Sequence, residues 1–186
     1  MDFRLRILAG ALVCAGFASA ADKAPPTIAK ILDGALTSAE REIVSLVEAM
    51  PADKMDFAPA SGEFKGVRTF AQQATHVASV NYAVAAATLG EKNPSESGEN
   101  ENGPATIKTK DEVVKYLKDS FAYAHRAARS ITATNAARQM ASPFGEGKMP
   151  KLGAINVAIW HTFDHYGQLV VYARLNGIVP PASRQQ

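Results

Sequence analysis

Four stretches of the chain carry apolar residues at helical spacing, and none alternates apolar with polar residues long enough to read as a strand. The first runs from about Thr27 to Met50, through Ile28, Ile31, Leu32, Ala35, Ile43, Leu46 and Val47. Gly34 weakens its middle, and Pro51 with the Pro59-Ala60-Ser61-Gly62 stretch ends it and makes a connector. The second begins at Thr69. Thr69 with Gln72 three residues later is a capping-box pattern, and Phe70, Val77, Val80, Ala83, Val84 and Ala87 carry the period to Leu89 and a stop at Gly90. The third opens with Thr109 and Glu112 in the same relation. It continues through Val113, Val114, Tyr116, Leu117, Phe121 and Ala124 to about Ile131. The fourth follows a Pro143–Pro150 loop and runs from about Leu152 to Leu175. Arg174 suits the helix dipole in its last turn, and Asn176-Gly177 followed by Pro180-Pro181 stop it.

These stretches predict an all-α chain, a four-helix bundle. The segment Glu91 to Lys108, rich in Glu, Asn, Gly, Ser and Pro, reads as a solvated loop. Its length predicts a long crossover connection between helices two and three, which need not be antiparallel neighbours.

The first twenty residues follow a different pattern. Arg4 and Arg6 make a basic start, Ile7 to Phe17 an apolar run, and Ala18-Ser19-Ala20 a small-residue cleavage site. The apolar run is too short for a permanent span. Residues 1–20 therefore read as a signal peptide and 21–186 as one domain, exported to the periplasm or the medium. Cys14, the only cysteine, raises lipid modification as an alternative, but Val13 is bulky where such processing wants a small residue. The mature chain then has no cysteine, which excludes disulfides, thiolate ligands and a cysteine nucleophile.

Composition narrows the function classes. The chain is 47% hydrophobic and 20% charged, as in an ordinary globular protein. Beyond residue 20 it carries 18 basic and 17 acidic side chains, with no dense Lys/Arg run, so nothing points to nucleic acid.

Chemistry is concentrated in the histidines, of which there are four. His161 and His165 sit four residues apart in WHTFDHYGQLVVYARL. On a helix that spacing brings two side chains to about 5–6 Å on one face, the geometry two imidazoles need to share a metal. Ile155, Val157, Ile159, Trp160, Phe163, Leu169, Val170 and Val171 surround them, so the helix is expected to be mostly buried and its polar positions to need partners. Gln168 and Tyr172 continue the polar line. His76, mid-way along helix two among small and apolar neighbours, is the candidate third ligand; the alternative is a hydrogen-bonded core histidine. His125, beside Arg126 and Arg129, reads as a residue on or near the wet face of helix three.

The helical layout, a histidine on helix two, and H-x-x-x-H followed by Gly-Gln on the last helix resemble the DinB-like superfamily, over about Thr27 to Arg184. The ending RLNGIVPPAS after HYGQLVVYA is especially similar. That group includes damage-inducible DinB proteins, metal-dependent hydrolases of the YfiT type, and bacillithiol- and mycothiol-dependent transferases. The resemblance implies a bundle with the family's crossover topology, a metal triad of His76, His161 and His165, and homodimers. Many relatives carry a basic residue where this chain has Tyr166. The thiol-dependent relatives work in the cytoplasm, which an exported copy leaves.

Three neutral nitrogens would leave open positions on a divalent ion, zinc or nickel first, manganese or iron next. Such an ion could activate a water or a cosubstrate thiolate. No general base is visible: the position a zincin gives to Glu holds Thr162. Asp164 is rotated off the ligand face, while Gln72, Gln73, Gln168 and Tyr172 are better placed to orient a ligand. Two readings stand, a metal-dependent enzyme acting on an unidentified small molecule and a non-catalytic metal-binding or structural helical bundle of the cell envelope.

Overall fold

A computed structural model describes residues 24–184. Residues 1–20, read from the sequence as a signal peptide, and Cys14 among them lie outside the described residues. Four helices carry the fold: α1 (Ile28–Ala49), α2 (Phe70–Leu89), α3 (Lys110–Arg129) and α4 (Lys151–Leu175). The caps fall where the sequence puts them. Thr69 and Thr109 each accept from the backbone N–H three residues on, and Gln72 and Glu112 accept from the backbone N–H of the cap residue in return. Gly90 closes α2 at φ 72°, a left-handed conformation that suits a residue without Cβ.

Side-chain pairs give each helix its direction. Ser79 meets Tyr116, Asn81 meets Ser120 and Glu91 meets Arg126, so α2 and α3 run parallel. Gln73 meets His165 and His76 meets His161, so α4 runs antiparallel to α2. Asp33 meets Arg129 and Glu48 meets Lys118, which sets α1 antiparallel to α3. Each of α1 and α2 packs on both α3 and α4, and the bundle is up-down-down-up. The twenty residues between α2 and α3 must therefore travel the length of the bundle, the crossover that the sequence leads one to expect. Leu36, Ile43, Leu46, Phe70, Val77, Leu117, Phe121, Ile155 and Leu169 fill the centre, each fully buried.

Three features differ from the expectations above. The Pro143–Pro150 loop belongs to a small antiparallel hairpin, Gln139–Ala141 with Lys148–Pro150. Strands of three residues are too short to show a period of two. Helix α4 is not mostly buried: Trp160 is 53% exposed, and Phe163, Val171 and Leu175 also face outward. Its apolar residues run around the whole helix, so hydrophobicity alone could not say which side faces the bundle. His125 is on no wet face. It is 8% exposed and bridges α3 to α1, with Nδ1 2.6 Å from Asp33 Oδ1 and Nε2 3.2 Å from Glu40 Oε2. The ring thus ties both α1 carboxylates to α3. Burial alone would raise the Asp33 carboxyl, but the hydrogen bonds from His125 and Arg129 outweigh it and hold the group below the usual range. Among the described residues, no helix is long and apolar enough to cross a membrane.

Two substitutions test this packing by urea unfolding. Phe121→Ala, at a fully buried site, is expected to cost about 3–5 kcal/mol, and Thr109→Ala about 1 kcal/mol through the lost cap.

Candidate metal centre

Helices α2 and α4 cross with their histidines facing each other. The imidazoles of His76, His161 and His165 stack edge to face, with ring centroids 5.0, 4.9 and 4.5 Å apart pairwise. One ligand atom from each lies within 4.8 Å of the others, and the set could hold a metal ion. Among the described residues no carboxylate joins that set.

The hydrogen bonds around the rings decide which nitrogens face inward. His76 Nδ1 is 3.1 Å from the Glu101 carbonyl oxygen, which can only accept, so Nδ1 carries the proton and Nε2 the lone pair. His165 Nδ1 donates to Gln73 Oε1 at 2.7 Å, which leaves its Nε2 as the lone pair. His161 Nε2 lies 3.2 Å from His76 Nε2, and its own Nδ1 is buried without a partner. In either neutral tautomer of His161 one buried nitrogen goes unsatisfied or two lone pairs face each other. A cation among the three Nε2 atoms relieves the facing lone pairs, though not the unpartnered Nδ1 of His161, so the donor set fits a divalent metal with partly filled coordination.

The surroundings support the same tautomers. Gln73 and His76 stand on α2, one turn apart, and are both buried. Glu101 comes from the crossover, in a turn where Asn100 and Glu101 both adopt positive φ, 53° and 59°. Two adjacent left-handed residues without glycine are strained, and strain of this kind gathers at functional sites. The turn also closes tightly: a Cβ at Gly98 would lie 1.8 Å from the Gly103 carbonyl oxygen. The same turn pins Arg68, whose Nε donates to Asn102 Oδ1 at 2.7 Å and Nη2 to the Asn100 carbonyl at 2.8 Å.

The remaining polar candidates divide. Gln73 touches a histidine as expected. Gln72 is used in the α2 cap, and Tyr172 donates to the Arg68 carbonyl at 3.3 Å. Gln168 pairs with the exposed Asp164 at 3.0 Å and so reaches no ring. Thr162 turns its hydroxyl back onto the Ala158 carbonyl and is chemically idle. Tyr166 donates to Glu42 of α1. Sequence reasoning missed Arg68 and Glu101. Glu101 sits in a stretch whose composition says only that it is solvated, and Arg68 precedes α2 with no motif around it.

Two cavities reach the cluster. One of about 640 Å³ is lined by Arg68, Gln73, Asn102, His165 and Gln168 among others. A smaller one of about 260 Å³ is mostly apolar, with Val80, Phe144, Val157 and Trp160 beside His76 and His161. Glu101 also lines it and brings a carboxylate to 3.9 Å from His76 Nδ1.

Burial keeps the rings neutral. It drives His161 down to about 3, with His165, His76 and Arg68 adding to the shift. It brings His165 down to about 4, with His76 and Arg68 adding and Asp164 opposing. His76 is lowered by burial and by Arg68, against the Glu101 carbonyl and carboxylate. In the unfolded chain these rings titrate near about 6.5. Below that pH the unfolded state binds more protons than the folded one, so stability falls as the solution is acidified. The metal-free protein is therefore expected to lose thermal stability steadily from pH 7 to pH 5, a window above carboxylate titration. His161→Gln is expected to flatten that loss; an unchanged pH slope in the variant would contradict it.

Comparison with known proteins agrees with this architecture. The DinB superfamily pattern matches residues 35–169. A DinB-like protein from Bacillus cereus ATCC 10987 superposes with a TM-score of 0.65 at 17% identity, covering 81% of this chain and 93% of its own. A DinB-like protein from Bacillus subtilis, YjoA, gives 0.62 at 16%, covering 84% and 99%. No curated protein matches the chain. With the superfamily match spanning most of its length, this chain belongs to the DinB superfamily.

Proposed function

We propose that this DinB-superfamily protein is exported and holds one divalent metal ion on His76, His161 and His165, where it serves hydrolysis of a small molecule. The observation that carries the reading is the convergence of three neutral imidazoles with Nδ1–H of two of them already committed, to the Glu101 carbonyl and to Gln73. Zinc and nickel suit an all-imidazole set best. A bound ion of this kind supplies Lewis acidity to a water or a substrate oxygen.

The residues of the chain do the rest. Gln73 and the Glu101 carbonyl fix ring orientation and tautomer, so the lone pairs stay aimed without a further ordering cost. The apolar cavity beside His76 and His161 limits water on one side, while the larger polar cavity reaches His165 from another. Glu101 is the nearest carboxylate, 3.9 Å from the edge of His76 that faces away from Nε2, which suits steadying that ring rather than taking a proton at the site. Hydrolysis is favoured over thiol transfer because an exported protein always meets water, whereas the thiols used by related transferases are cytoplasmic.

Elemental analysis of tag-free mature protein tests the site. The wild type is expected to carry about one metal per chain, and His161→Ala none. The single tryptophan, Trp160, has its ring 5.9 Å from that of His161, so its fluorescence is expected to be quenched when Ni²⁺ is added back. Equal metal content in the two proteins would refute His161 as a ligand.

A further inference from the structure

We propose that the large cavity beside the histidines is a binding site for an organic carboxylate, held end-on by Arg68 while the rest of the molecule reaches toward His165. The proposal rests on the reading of the three histidines as a metal centre, and it adds a substrate class to it.

The cavity holds about 640 Å³, room for a small organic molecule, and His165 forms part of its wall. Its only charged lining residue is Arg68; the other polar groups are uncharged, five side-chain amides together with the Tyr172 hydroxyl and the His165 ring. No carboxylate lines it. Arg68 forms no ion pair among the described residues, although the chain offers almost as many acidic as basic side chains. An arginine without a carboxylate in a concave, half-buried place is a charge awaiting a partner.

The guanidinium is also held in one orientation. Nε and Nη2 each donate to the 100–102 turn, at 2.7 and 2.8 Å, and Nη1 has no partner among the described residues. The backbone of Arg68 is fixed as well, by the Tyr172 hydroxyl. A fork held by one edge keeps its other donors for a planar, two-oxygen acceptor, the geometry of a carboxylate. The turn doing the holding is the one with two successive left-handed non-glycine residues. Phe64, Val67 and Val171 supply apolar wall for the carbon skeleton.

Arg68 makes little sense as part of a metal site alone. Arg68 and His165 line the same cavity, so the positive charge of Arg68 would repel a dication held by that ring. A carboxylate seated on Arg68 cancels that repulsion and places an organic molecule beside the metal. Phosphate fits less well, because a single arginine with neutral amides offers too little positive charge for a dianion.

Isothermal titration at pH 7 and fixed ionic strength tests this with succinate, its neutral counterpart succinamide, and inorganic phosphate as probes. Metal-free and zinc-loaded protein are measured separately. Succinate is expected to bind both forms, more tightly with zinc. Arg68→Gln is expected to weaken it roughly tenfold or more, and succinamide to bind at least as weakly as succinate does to that variant. Arg68→Lys keeps the charge without the fork and serves if Arg68→Gln fails to fold; it is expected to weaken succinate severalfold. Zinc binding itself is expected to be equal or tighter in Arg68→Gln. Succinamide binding as well as succinate, phosphate binding more tightly than succinate, or succinate indifferent to both substitutions would overturn the carboxylate site. Failure of the protein to take up zinc, with succinate still bound through Arg68, would instead overturn the metal reading and leave the carboxylate site standing.

Discussion

Helices α2 and α3 lie side by side and point the same way, and much of the site follows from that. A helix of twenty residues is about 30 Å long, so the chain that leaves the end of α2 must return that distance before α3 can begin. A short turn cannot do this. The return segment meets α3 through Ser95 and Tyr116 and arrives on α2 at the level of His76. There it gives the Glu101 carbonyl to the His76 ring, and Asn100 and Asn102 to Arg68. A loop required by topology thus becomes the wall that orients a histidine and fixes a cation.

The antiparallel pair α2 and α4 supplies the other half of the geometry. Gln73 and His76 on one helix face His165 and His161 on the other, so each contact reinforces the alignment of the next. Burial then does chemical work. It strips the rings of water, holds them neutral, and leaves lone pairs converging where repulsion is relieved only by a cation or by a shared proton. The 3.2 Å approach of His161 Nε2 to His76 Nε2, with Nδ1 of His161 buried and unpartnered, shows that the protein alone does not fully satisfy this cluster, and a cation would relieve the first of these two strains. Buried polar groups are rarely left so, and functional sites are where exceptions gather.

How much of this the sequence shows depends on distance along the chain. Local signals were legible: the capping boxes at Thr69 and Thr109, the stop at Gly90 and the i, i+4 histidine pair on α4 all depend on residues within one turn of each other. The segment between α2 and α3 was legible as a long connector, but length alone does not mark it as the crossover, because residues 50–69 and 130–150 are as long and join antiparallel helices. The pairing of His76 with the α4 histidines was an inference from chemistry and resemblance, because no local pattern joins residues eighty-five positions apart. His125 was misread for the same reason. Its neighbours Arg126 and Arg129 suggest a wet face, whereas its partners Asp33 and Glu40 come from α1. Arg68 and Glu101 gave no signal at all, since their roles arise only when the connector before α2 and the crossover turn meet.

The central claim is that three imidazoles share one cation, and the coordination sphere of that ion is the most direct place to look. X-ray absorption spectroscopy of the zinc-loaded protein should show nitrogen or oxygen neighbours at about 2.0–2.1 Å, with outer-shell scattering that requires three imidazole rings and no sulfur. A sphere with one imidazole or none, or one built mainly of carboxylate oxygen, would contradict the account.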